Sequence, residues 1–184
     1  MHHNFIHTKI LNMKKVLELL RFVDNFPIEG VRFIDISGLL KSNDAFDQVI
    51  KGMTSKIKIQ DGTLYAGIES RGFLFSSSMA KESGVGSIMI RKKGKLPPPT
   101  ESLSYSLEYG NAEIEMARSD YAGQPLIIVD DVLATGGTLL AAEALATKSG
   151  YKVLGAVVFI DIKSLHEEDL SFSEEKKIHS LIQL

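Results

Sequence analysis

The stretch Val129-Asp130-Asp131-Val132-Leu133-Ala134-Thr135-Gly136-Gly137-Thr138 follows directly on the apolar run Leu126-Ile127-Ile128, and this junction constrains the chain more than any other feature. An uninterrupted apolar run that ends in turn residues reads as a strand buried on both faces, as parallel sheets require. Such a strand delivers its last residues to the crevice where an open α/β sheet meets its ligands. The N–H groups that open the next helix are then placed to hold a phosphate. Gly136 and Gly137 let the backbone approach a ligand closely. Thr135 and Thr138 add hydroxyl donors, whereas Asp130 and Asp131 are acceptors, suited to the 2′- and 3′-hydroxyls of a ribose rather than to a phosphate. The two halves imply one ligand that carries both groups.

A plainer reading competes with this one. Paired aspartates after a strand are usually loop acids or a helix N-cap, and Gly-Gly alone is a turn. The sharper rivals for phosphate binding are absent: the chain has no G-x-x-x-x-G-K-[ST] and no G-x-G-x-x-G.

With 184 residues, the chain is long enough for one sizeable core and too short for two ordinary domains with a linker. A single domain over residues 13–184 is expected. The formal charge of −2 provides no general field for nucleic acid or anionic lipid, so small anions must be met locally. Without cysteine there is no disulfide, thiolate nucleophile or Cys-ligated zinc, which suits the cytoplasm. No apolar segment is long enough to span a bilayer, and Met1 to His7 lacks the order of a secretory signal. The unpatterned residues 1–12 are expected to form a mobile extension.

Along the chain, the apolar pairs Val16-Leu17, Leu19-Leu20 and Phe22-Val23 predict an amphipathic helix that stops before Phe26-Pro27. A helix capped by Ser42 or Asn43 should carry Phe46, Val49, Ile50 and Met53 on one face. Strands are expected at 64–68, 87–90, 112–116, 126–132 and 153–160, with helices from Gly72 to about Glu82 and from Thr138 to about Lys148. Residues 91–107, basic at first and then broken by Pro97-Pro98-Pro99, read as one long irregular connection with little apolar content. Alternating strands and helices predict an α/β fold, a largely parallel twisted sheet flanked by helices.

The 129–138 motif resembles the 5-phosphoribosyl 1-pyrophosphate (PRPP) binding motif of the type I phosphoribosyltransferases. Four further segments narrow the resemblance: Phe26 to Ile36, Gly67 to Phe73, Arg91 to Pro97 and Tyr105 to Gly110. They are similar, in order and spacing, to segments of the adenine phosphoribosyltransferases, and the likeness runs from about Phe26 to Leu165. The resemblance implies the type I fold with a small N-terminal hood and a long flexible catalytic loop. It places the 5-phosphate on Ala134, Thr135, Gly136, Gly137 and Thr138, and the ribose on Asp130 and Asp131. Pyrophosphate falls to Glu69, Ser70, Arg71, Arg91 and Lys95, with a cis peptide between Glu69 and Ser70. Adenine is implied to lie on Phe33, with backbone groups of Arg32 and Ile34 along its edge. Ile34 departs from the family pattern, which usually has arginine there. Glu108 and Arg91 are the implied catalytic residues, with Tyr105 and Tyr109 on the loop.

Each residue also has a modest alternative. Phe33 suits a core, Arg71 an ordinary solvated turn, Arg91 to Lys95 a solvated face, and Glu108 a surface acid. The chemistry implied is attack by a purine nitrogen on the anomeric carbon of PRPP, with Mg²⁺ entering largely on the substrate phosphates. No covalent protein intermediate is needed, and the histidines, at 2, 3, 7, 166 and 179, offer no serine triad. The implied protein is a cytoplasmic homodimer that makes AMP in purine salvage, without nucleic-acid or membrane partners. One alternative is a different purine base, such as hypoxanthine, guanine or xanthine. Another is a PRPP-sensing regulator, for which the residues before Phe26 leave too little room for a DNA-binding module.

Overall fold

A computed structural model of the chain describes residues 13–107, 110–166, 170 and 177–184. The expectations placed on residues 1–12, Glu108 and Tyr109 lie outside them. The chain divides into two compact units, Met1–Gly52 and Met53–Leu184.

The first unit holds helix α1 (Met13–Glu18), strands β1 (Arg21–Val23) and β2 (Phe33–Asp35), helix α2 (Ser37–Leu40) and most of helix α3 (Asn43–Thr54). The helix expected to run on to Val23 ends at Glu18, and its last three residues pair antiparallel with β2, from Arg21↔Asp35 to Val23↔Phe33. The physical reason is a distant partner. Arg21 Nε and Nη2 donate to Asp35 Oδ2 at 3.2 and 2.8 Å, a charge-assisted fork that helical periodicity cannot reveal. The Phe26–Pro27 peptide is cis, and the turn is closed by Gly30 N donating to Asn25 Oδ1 at 2.9 Å. Ser42 caps α3 as expected, its Oγ accepting from Ala45 N at 3.4 Å.

In the second unit, a seven-stranded sheet is built from β3 (Leu64–Ile68), β4 (Gly86–Lys92), β5 (Thr100–Leu107), β6 (Gly110–Ala117), β7 (Gln124–Leu133), β8 (Tyr151–Asp161) and β9 (Ile178–Gln183). Their order is β5-β6-β4-β3-β7-β8-β9. The run from β4 to β9 across β3, β7 and β8 is parallel. Helix α4 (Gly72–Ser83) links β3 to β4, and α5 (Gly137–Lys148) links β7 to β8. Leu126, Ile127, Ile128 and Val129 of β7 and Ala156 to Ile160 of β8 are fully buried, which is why these strands read as unbroken apolar runs.

The long connection after β4 differs from its expectation in one respect. Only 93–99 is irregular; Thr100–Leu107 is a regular strand, paired antiparallel with β6 from Thr100↔Ala117 to Leu107↔Gly110. The cause is a period-two pattern in which Leu103 and Tyr105 alternate with serines. Both pack against the core that includes Ile114, Met116, Leu139 and Leu145. The last strand, β9, lies beyond the region of resemblance and was not expected from the sequence.

Candidate active site

Two turns come together at the carboxyl edge of neighbouring parallel strands. From β3 the chain passes through Glu69-Ser70-Arg71 into α4 and then to β4 on one side. From β7 it passes through Ala134-Thr135-Gly136 into α5 and then to β8 on the other side. Adjacent strands whose connections diverge in this way open a crevice between them, the switch point at which open α/β sheets receive ligands. Glycine allows the close approach. A Cβ at Gly72 would lie 2.8 Å from Val129 O and 3.1 Å from Asp130 Oδ1, and one at Gly67 would lie 2.8 Å from Gly72 O and collide with Ser76 Oγ.

The turn after β7 has the features a phosphate needs. Gly136 takes the left-handed conformation, φ +86°, and caps α5 without any side-chain hydrogen bond. The first amides of a 12-residue helix are thus left for an external acceptor, and the helix dipole favours an anion there. A Cβ at Gly137 would meet nothing within 4 Å among the described residues, so open space adjoins those amides. Thr135 is exposed and Thr138 half-buried. Tyr105, from β5, donates its hydroxyl to Thr138 Oγ1 at 3.2 Å, joining the hairpin to this turn.

Asp130 and Asp131 stand just before that turn. Asp131 is 4 % exposed, with Oδ2 at 2.8 Å from Arg71 Nε, and Asp130 Oδ1 accepts from Asp131 N at 2.9 Å. Burial, followed by the charge of Asp131, pushes the Asp130 carboxyl well above the ordinary carboxylate range. Asp131 is also raised by burial, against the opposing pull of Arg71. Side by side at the mouth of the crevice, the two carboxyl groups supply oxygens that can accept from hydroxyl donors.

The remaining residues assigned to pyrophosphate form a connected set. The Glu69–Ser70 peptide is cis, as expected, and Ser70 is exposed. Glu69 Oε2 accepts from Lys92 N at 2.9 Å and from Arg91 Nε at 3.3 Å. The Lys92 backbone bond and then Arg91 hold the Glu69 carboxyl below its usual range. Its carboxylate therefore serves to orient Arg91. Arg91 Nη1 donates to Lys95 O at 3.0 Å. Lys95 N and Leu96 N both donate to Glu115 Oε1 at 2.7 Å. No short motif marks Glu115, and an acid in an alternating strand usually faces water; here it is 2 % exposed.

The segment assigned to the base lies in the first unit. Phe33 is half-buried and meets Phe26 edge to face, with ring centroids 5.3 Å apart and planes at 74°. Arg32 is exposed, pairs with Asp24 at 3.2 Å and lies 5.0 Å over the Phe22 ring. Ile34, at the position of the family's arginine, is 4 % exposed and serves as a core residue of its unit.

Comparison with known proteins shows the family to which the chain belongs. The family model of the phosphoribosyl transferase domain matches residues 40–180. The adenine phosphoribosyltransferase of Rattus norvegicus is 46 % identical over 157 residues, 83 % of this chain and 87 % of that protein. A crystal structure of adenine phosphoribosyltransferase from Thermoanaerobacter pseudethanolicus superposes with a TM-score of 0.85 at 34 % identity, covering 94 % of this chain and 99 % of the other. The enzyme of Saccharomyces cerevisiae, crystallised with an imino-altritol bisphosphate and adenine, gives 0.80 at 30 % identity over 91 % and 97 %.

Proposed function

Because the chain belongs to the phosphoribosyltransferase family, we infer that it transfers the 5-phosphoribosyl group of PRPP to adenine, giving AMP and pyrophosphate in purine salvage. The observation that carries this reading is the adjacent acid pair, half-buried Asp130 and buried Asp131, set directly before an uncapped helix N-terminus at the β3/β7 switch point. A phosphate and two vicinal hydroxyls are what those groups bind, and PRPP supplies both on one sugar.

In this reading the ribose hydroxyls donate to Asp130 and Asp131. The 5-phosphate sits on the amides and hydroxyls of 134–138. Pyrophosphate meets the 69–71 turn, Arg91 and Lys95. Phe33 stacks on adenine, with the backbone of Arg32 and Ile34 at its edge. A ring nitrogen of adenine attacks the anomeric carbon as the C–O bond to pyrophosphate breaks, with both electrons leaving on the pyrophosphate oxygen. The sugar carries positive charge in between. Glu108 takes the proton released by the base, and Tyr109 belongs to the loop that shields the site, whereas Tyr105, implied to lie on that loop, is instead a residue of β5 whose hydroxyl braces Thr138. No bond to the protein forms, so the catalytic work is positioning and charge stabilisation, and exclusion of water protects the sugar cation from hydrolysis.

For magnesium, the chain offers hard carboxylate oxygens at Asp130 and Asp131. Among the described residues no three metal-ligating side chains lie together. That donor set fits an ion carried largely by substrate oxygens, which when bound neutralises charge on the departing pyrophosphate. We place the protein in the cytoplasm as a homodimer in which Arg91 reaches the partner's pyrophosphate. Sedimentation at micromolar concentration should show a species of twice the chain mass, and a monomer would refute the dimer. Incubation with PRPP, Mg²⁺ and adenine should yield AMP and pyrophosphate in equal amounts. Failure to form AMP with a properly folded sample would overturn the assignment.

A further inference from the structure

A carboxylate that is 2 % exposed is costly unless it is fully bonded, so its presence in a strand calls for a physical reason. Glu115 lies on β6 between two core residues, Ile114 and Met116, directly opposite Arg91 in the β4–β6 pairing. Its partners are almost all backbone: Lys95 N and Leu96 N at 2.7 Å each on Oε1, with the Thr100 hydroxyl at 3.5 Å from Oε2. The Leu96 bond first, and then that of Lys95, hold its carboxyl below the usual range, in keeping with an ionised acceptor.

The consequence falls on Lys95. Its N–H is held by Glu115 and its carbonyl by Arg91 Nη1, so two oppositely charged side chains grip one peptide segment from both ends. Gly94, φ +82°, makes the turn that presents it. The Lys95 side chain is exposed, and its ammonium has no hydrogen-bond or ion-pair partner among the described residues. Lys93 contrasts with it. The Lys93 ammonium is already engaged by Glu113 at 2.9 Å and Ser102 at 2.8 Å. A fixed backbone carrying an unengaged cation gives up little entropy when an anion arrives.

We propose that Glu115 is a positioning residue for pyrophosphate, acting through the backbone of Lys95 to hold that ammonium ready for the leaving group. The proposal rests on the reading of Lys95 as a pyrophosphate ligand. Replacing Glu115 with glutamine preserves shape but removes the charge and turns one acceptor into a donor. Glu115→Gln should raise the KM for PRPP and the inhibition constant for pyrophosphate about tenfold while leaving the KM for adenine unchanged. Lys95→Ala should do the same. The double variant should be no worse than Lys95→Ala alone, because the anchor has nothing left to position.

Multiplication of the two effects would overturn the proposal, as would normal pyrophosphate inhibition in Glu115→Gln alongside weakened inhibition in Lys95→Ala. In both of those cases the reading of Lys95 would stand. Normal inhibition in Lys95→Ala would overturn that reading, and the proposal with it. If Glu115→Gln does not fold, Glu115→Asp, which keeps the charge but sets it back by one methylene, carries the same comparison.

Discussion

Replacing Gly137 with alanine separates the phosphate site from the fold that builds it. The added methyl meets no heavy atom within 4 Å among the described residues, and the residue does not lie in the left-handed region. Gly137 is the first residue of α5, where alanine replacing glycine should change stability by between zero and about 1 kcal/mol in the favourable direction. The space it enters is, in our account, where the 5-phosphate contacts the helix amides. Displacing that phosphate should weaken PRPP at least 100-fold, about 2.8 kcal/mol at about 1.4 kcal/mol per factor of ten. Gly136→Ala cannot serve the same purpose. Its φ of +86° costs a side chain roughly 1–2 kcal/mol, and its Cβ would also lie 2.6 Å from a Leu170 methyl carbon. Calorimetric titration with PRPP and thermal melting of Gly137→Ala should show lost binding in a fully stable protein. Wild-type affinity in that variant would refute the reasoning, since no phosphate then occupies the space beside those amides.

Further expectations follow from the acids and the hairpin. Burial and Asp131 raise the Asp130 pKa, so the folded chain holds that proton more tightly than an unfolded carboxyl, which titrates at about 3.9. The stability present below that unfolded value is lost as pH rises through the folded one. Asp130→Asn, with no proton to lose, should therefore melt above wild type at pH 7 to 8, with the gap closing towards pH 4, while binding PRPP less tightly. A lower melting temperature at pH 7.5 would contradict the assigned pKa direction. Tyr105→Phe keeps the ring that packs on the core but removes the donor to Thr138 Oγ1; we expect a severalfold rise in the KM for PRPP with an unchanged melting curve, and steady-state kinetics would show whether that hydroxyl contributes. Excising residues 93–104 should destabilise the protein by more than about 3 kcal/mol in denaturant unfolding, because it removes five of the eight residues of a paired strand and the Leu103 packing.

That last expectation reverses what the sequence suggests for the same segment, and the reason shows where sequence reading reaches its limit. Strands β3, β7 and β8 were legible because buried parallel strands are continuously apolar. The Asp130 to Thr138 site was legible because strand, acids and turn are contiguous. The β5 strand was obscured by its serines, whose alternation with Leu103 and Tyr105 marks a half-buried strand only once β6 is known to lie opposite. Helix α1 ends earlier than its periodicity predicts for a similar reason: the pairing of Arg21 with Asp35 joins residues that local periodicity treats separately. Glu115 and the Tyr105 to Thr138 bond escaped notice because their partners lie 20 and 33 residues away, and no short motif encodes a distance in space.

The central claim, that this chain joins adenine to PRPP, is tested most directly by kcat/KM for adenine against hypoxanthine and guanine with PRPP and Mg²⁺ held constant. A site whose backbone accepts from the exocyclic amine and donates to the adjacent ring nitrogen meets a 6-oxopurine with the wrong polarity at both positions, leaving buried groups unpaired. Discrimination for adenine should then reach roughly 10⁴ or more. Comparable values for hypoxanthine or guanine would contradict the account.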